Sequence, residues 1–134
     1  MGRSVDVRAL LDTHALLWWL SDSHQMTNAS REIVGNENNE IFVSAASAWE
    51  ISTKIRIGRL AQVEFSLVDI MHHVAMQGFS ELPISMKDAW SAGRLPGPHR
   101  DPFDRMLAAQ ALLRNLAFLS VDKVFDSFGV NRVW

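Results

Sequence analysis

The chain has 134 residues, 48% of them apolar (AVILMFWYC) and 21% charged, so it can bury one core and is neither a disordered tail nor a repeat-built fibre. It contains no cysteine, which excludes a disulfide scaffold, a cysteine-ligated zinc site and thiol catalysis. Thirteen Lys and Arg against fifteen Asp and Glu give a formal charge of −2, so any nucleic-acid binding must rest on a local basic patch.

Residues 7–11 form the first predicted strand, broken by Asp12, and residues 14–20 a short apolar helix that Asp12 or Thr13 can cap. Thr27 and Asn28 start a second helix, which stops at Gly35 and Asn36. The β-branched and aromatic run 41–43 reads as a buried strand, after which Ser44 caps a long helix over 45–57, ended by Gly58. Ser66 caps the next helix, 67–77, with Gly78 behind it. Residues 82–84 make a weak strand, because Pro83 removes a ladder donor. A short helix over 85–92 follows, and then the irregular segment 93–100.

The clearest helix start comes next: Asp101 at the N-cap, Pro102 at the first helical position and Asp104 in the first turn. That helix runs to Asn115. Residues 117–120 form another buried strand, 122–128 a short helix and 130–134 a final edge strand. Strands alternating with helices predict one α/β domain over residues 1–134, with a mainly parallel sheet covered on both faces.

Ligands of such sheets bind beyond the carboxyl ends of the strands. Asp12 follows the first predicted strand directly, and Asp122 lies two residues past the strand ending at Ser120. Glu50 sits roughly 9 Å into the helix capped by Ser44, at 1.5 Å per residue, and Asp104 opens the helix that leads to the strand at Ala117. Four carboxylates from distant stretches therefore converge on one edge. Crowded carboxylates repel, and the usual remedy is a hard divalent cation such as Mg²⁺ or Mn²⁺. Such an ion activates water and polarises phosphate, which suits phosphodiester hydrolysis.

Each acid also has a plainer reading. Asp12, Asp101 and Asp122 are natural helix caps, Glu50 pairs with Lys54 at i,i+4, and Asp104 is a first-turn acid favoured by the helix dipole.

The residues decide between these readings through a resemblance. Leu10-Leu11-Asp12-Thr13-His14-Ala15-Leu16-Leu17-Trp18, the block 44–60 around Trp49-Glu50, His99-Arg100-Asp101-Pro102-Phe103-Asp104-Arg105 running on to Ala111, and Leu119-Ser120-Val121-Asp122 occur in that order. Together they resemble the PIN-domain family, in particular the VapC toxins of type II toxin–antitoxin systems. The resemblance implies a three-layer α/β/α fold and an endoribonuclease dependent on Mg²⁺ or Mn²⁺. It implies that Asp12, Glu50, Asp104 and Asp122 form the metal cluster, with Thr13 and Ser120 as supporting hydroxyls and Asp101 as an extra acid of open role. It also implies a homodimer and a cognate antitoxin that inserts a segment into the cleft. The alternative is a PIN-like fold kept as a non-catalytic binding module.

An RNA substrate needs cations beside the acids. Lys54, Arg56 and Arg59 follow Glu50, while Arg94, His99, Arg100 and Arg105 surround the turn at Asp101. Trp18, Trp19, Trp49 and Trp90 either stack on bases or, as their apolar neighbours suggest, pack in the core or a dimer contact. The apolar helix with Trp18 and Trp19 is the expected dimer surface. Apolar runs are too short to cross a bilayer and the N-terminus lacks secretory features, so the expected location is cytoplasmic, away from the membrane.

Overall fold

In the computed structural model, which describes residues 6–60 and 66–134, the strands are β1 (Arg8–Leu11), β2 (Glu40–Ser44), β3 (Ser80–Leu82), β4 (Ala117–Leu119) and β5 (Asn131–Val133). They form one sheet in the order β3-β2-β1-β4-β5, and every neighbouring pair is parallel. Parallel neighbours require crossovers. These are supplied by α1 (Thr13–Leu20), α2 (Asn28–Gly35), α3 (Ala45–Arg56), α4 (Leu67–Met76), α5 (Met86–Arg94), α6 (Pro102–Arg114) and a 3-10 helix over Lys123–Phe128.

Alternate residues of β1 and β4 enter two separate cores. Leu10 and Phe118 pack with Leu107, Ala108 and Phe125 on one face. Ala9, Leu11 and Leu119 pack with Ala15, Leu16, Ile51 and Ile70 on the other. Strands buried on both faces read as unbroken apolar runs, which is why β1 and β4 were visible as such. The architecture is three-layer α/β/α, as expected.

The chain runs from β1 outward through β2 to β3, then returns to the other side of β1 for β4 and β5. The order therefore reverses between β1 and β4. In an open parallel sheet this is where a crevice opens beyond the strand ends. Asp12 and Ser120 are the residues that immediately follow these two strands.

Three expectations are corrected. The strand expected at 82–84 is Ser80–Leu82, paired Phe42↔Ser80 to Ser44↔Leu82, and Pro83 lies just outside it. Helix α5 continues to Arg94, two residues further than expected. It starts on a complete capping box, in which Ser85 and Asp88 satisfy each other's backbone N–H groups. The third concerns Trp18 and Trp19. Both are half-buried against the second core, Trp18 lying edge-on to Trp134 at 5.6 Å and Trp19 donating Nε1–H to Gln77 Oε1 at 2.9 Å. Their rings are covered from within the chain and do not form the bare surface expected of them. No helix among the described residues is long and apolar enough to cross a membrane.

Candidate active site

Asp12 ends β1 and caps α1: its Oδ1 accepts from the Thr13 N–H at 2.7 Å. Its Oδ2 accepts from Ser120 Oγ at 2.7 Å, a bond that ties the end of β1 to the end of β4. The residue is only 4% exposed. Burial pushes its carboxyl up from 3.8 to about 6; the Ser120 bond, the His14 charge and the Thr13 N–H oppose the rise, and the Asp104 charge adds to it.

Glu50 lies two turns into α3 and is likewise buried. Its Oε2 meets Lys54 Nζ at 2.6 Å, while its Oε1 is buried without any hydrogen-bond partner. A buried carboxylate oxygen left bare costs stability unless something else occupies it. Asp104, in the first turn of α6, takes His99 Nε2 on Oδ2 at 2.8 Å. Its carboxyl is raised by burial first and then by the charges of Asp101 and Glu50, against the His99 contact.

The Asp104 charge thus acts on Asp12 and the Glu50 charge on Asp104, which links the three acids in sequence. Asp122 stands apart from them on the exposed N-cap of the 3-10 helix, where Oδ1 accepts from the Val124 N–H at 3.0 Å. Ser120 connects it to Asp12, since the same Oγ that donates to Asp12 accepts from the Asp122 N–H at 3.0 Å. Asp101 is a cap, accepting from the Phe103 and Asp104 N–H groups at 2.9 and 3.2 Å. Among the described residues no three His, Asp or Glu side chains close on a common point as a ready-made metal cage. Lys54 and His99 instead engage one acid each.

The donor set fits a hard cation. It consists of carboxylate oxygens, one of them buried and bare, with two carboxyls lifted by burial and by neighbouring acids, which a bound cation would relieve. Asp12, Glu50 and Asp104 would hold the ion from the crevice, and Asp122 from its rim.

The supporting hydroxyls divide. Ser120 touches Asp12 directly, whereas Thr13 Oγ1 donates to Ser47 Oγ at 2.9 Å and fastens α1 to α3. Ser47 carried a signal in sequence, because it shares the helical face of Glu50 three residues away. Of the expected RNA contacts, Arg56, Arg59 and Arg100 are exposed. Lys54 is engaged by Glu50, and Arg105 bonds backbone carbonyls between Ala92 and His99. Trp49 is 53% exposed, edge-on to Phe103 at 4.5 Å, and Trp90 is exposed as well, so neither packs in the core.

The raised Asp12 carboxyl has a measurable consequence. A group whose folded pKa exceeds its unfolded one stabilises the fold when protonated, and that contribution drains away as pH rises from about 4 through about 6. In EDTA the wild-type protein should lose stability across this window, by at most about 1.4 kcal/mol per pH unit for one group. Asp12→Asn should lack that component. Chemical denaturation at several pH values, compared between the two proteins, checks it; identical slopes would show that the buried carboxylate carries no such penalty.

Residues 9–131 match the PIN domain, and the chain belongs to that family. Over 67 residues it is 39% identical to ribonuclease VapC16 of Mycobacterium tuberculosis, a match covering 50% of this chain and 46% of that relative. The chain therefore matches about half the length of that curated relative. Among solved structures it is similar to VapBC2 of Rickettsia felis bound to a DNA fragment from their promoter (TM-score 0.65, 14% identity, 95% of this chain and 98% of that one). It is similar also to a toxin–antitoxin complex from Klebsiella pneumoniae (TM-score 0.63, 16% identity, 94% and 96%) and to FitAcB of Neisseria gonorrhoeae (TM-score 0.60, 19% identity, 94% and 96%). At these identities the likeness is one of fold.

Proposed function

We propose that the chain is a VapC-like endoribonuclease that hydrolyses RNA phosphodiester bonds with Mg²⁺ or Mn²⁺ held by Asp12, Glu50, Asp104 and Asp122. The observation that carries this reading is the bare, buried Oε1 of Glu50, an acid whose charge helps raise the Asp104 carboxyl, as Asp104 in turn helps raise that of Asp12. A divalent ion supplies water activation, phosphate polarisation and charge neutralisation at the leaving oxygen. The chain's own contribution is orientation. Ser120 and the Thr13 N–H hold both oxygens of Asp12, the rigid α3 presents Glu50, and the Asp101 cap fixes the first turn from which Asp104 projects. Exposed Arg56, Arg59 and Arg100 are the candidates for the substrate's phosphates.

The proposal includes a toxin's life in the cytoplasm, restrained by a cognate antitoxin, and a homodimer. Exposed apolar side chains on α4 (Leu67, Val68, Met71) and α5 (Met86, Trp90) support protein partners of this kind. The second reading, a non-catalytic binding module, is favoured by Lys54 and His99 already engaging two of the acids.

Metal titration separates the two. Mn²⁺ or Mg²⁺ should raise the melting temperature in step with concentration relative to Kd and switch on cleavage of single-stranded RNA, and EDTA should abolish both. If the ions change neither stability nor RNA, the acids are caps and ion-pair partners and the binding-module reading stands. Cleavage undiminished in EDTA would assign the activity to something other than this site.

A further inference from the structure

We propose that His99 and Arg105 are positioning residues that set the orientation of the Asp104 carboxylate toward a divalent cation, and that Arg105 acts through the backbone of the preceding loop and not through RNA. The inference deepens the functional reading above and rests on it.

Arg105 follows Asp104 directly on α6, but its guanidinium turns back to the segment that precedes the helix. Nε donates to the Ala92 carbonyl at 3.0 Å and Nη1 to the His99 carbonyl at 2.9 Å. Nη2 donates to the carbonyls of Leu95 and, at 3.5 Å, of Gly93. Ala92 and Gly93 belong to the last turn of α5, whose carbonyls have no helical partners, so one planar fork caps a helix and holds the loop behind it. That loop needs an external brace: it contains Pro96, Pro98 and a Gly97 at φ +106°, and Pro96 and Pro98 offer no N–H for regular bonding.

The brace ends at His99. Its carbonyl is held by Arg105, its ring lies edge-on to Phe128 with centroids 5.7 Å apart, and its Nε2 meets Asp104 Oδ2. The Arg105 guanidinium also stands 6.0 Å from the centre of the Phe128 ring. Backbone and ring of His99 are thus both fixed before the ring reaches Asp104. Only Oδ2 of Asp104 takes part in this contact; Oδ1 has no hydrogen bond among the described residues. Groups that orient a ligating side chain in this way are typically worth a factor of about 10–100 in metal affinity.

The test is Mn²⁺ binding to the full chain, measured by calorimetry without RNA, together with RNA cleavage over a range of Mn²⁺ concentrations. His99→Ala and Arg105→Lys should each weaken Mn²⁺ binding by about tenfold or more. His99→Gln, which keeps an N–H donor of similar reach, should recover much of the loss. Activity of the weakened variants should return at high Mn²⁺ with the KM for RNA unchanged. Lysine keeps the charge but not the fork, so if Arg105→Lys binds Mn²⁺ as wild type does and raises only the KM for RNA, Arg105 is a substrate contact and the proposal fails. Should Arg105→Lys not fold, the His99 pair still decides: equal affinity in His99→Ala and wild type overturns the proposal. If the wild-type chain binds no Mn²⁺ at all, the reading of the acids as ion ligands has failed and this inference falls with it.

Discussion

Replacing Asp12 by Asn should leave the protein folded and lower metal-dependent RNA cleavage on the order of a thousandfold at limiting Mg²⁺. The substitution keeps shape and most hydrogen bonding while deleting one negative charge at the point where β1 and β4 meet. Because burial of that charge is costly, marked by a carboxyl raised to about 6, Asp12→Asn should be at least as stable as wild type at neutral pH in EDTA. Stability held or gained, together with activity lost, is the signature of a functional acid. A cap gives the reverse, with modest loss of stability and no change in cleavage. Single-turnover cleavage and urea denaturation on the same preparations distinguish these outcomes, and wild-type activity at limiting Mg²⁺ would end the metal-site reading.

The second large effect lies away from the crevice. Asp88 on α5 is 1% exposed and receives Arg114 of α6 through two bonds, at 2.8 and 3.0 Å. Gln110 Nε2 donates to the same carboxylate at 3.0 Å and to the Pro83 carbonyl at 3.1 Å, and Gln110 Oε1 accepts from Ser44 Oγ at 2.5 Å. Burial works to raise the Asp88 carboxyl, yet the Arg114, Gln110 and Ser85 bonds prevail and hold it at about 2. Its contribution to stability is therefore complete above about pH 4 and lost as pH falls through about 2. Arg114→Ala strands this carboxylate and should cost about 3 kcal/mol at pH 7. Urea denaturation measures it; a change under about 0.5 kcal/mol, typical of an ordinary surface position, would show that the network is dispensable.

What the sequence disclosed follows from the range of the interactions involved. Asp101-Pro102 announced α6 because capping is local: the N-cap oxygen reaches N–H groups two and three residues ahead. The apolar runs of β1 and β4 announced a two-sided sheet for the same reason. The strand near Pro83 was displaced because pairing with β2, a long-range partner, sets its register. Among the candidate site residues, Asp12 was legible as an acid at a strand end, Asp104 as one at a helix start and Glu50 as one inside the helix that follows β2. The cations holding them were harder to assign. Lys54 lies at the i,i+4 spacing that reveals a partner, whereas Arg105 sits beside an acid in sequence and points away from it in space. The Asp88–Gln110–Arg114 network was invisible because its members lie on two helices and reach β2 through Ser44 and the end of β3 through Pro83.

The Asp12–Ser120 bond joins residues 108 positions apart, and β4, which carries Ser120 to its place, pairs directly with the first strand. A ribosome delivers Asp12 and Glu50 long before it delivers that strand, and Asp104 shortly before it. Until residues 117–120 have left the exit tunnel and paired with β1, the first acid lacks one of its two anchoring bonds and the crevice lacks one wall. A partly made chain thus carries most of the acids without the frame that aims them. Synthesis of the acids and assembly of the frame around them are separated in time.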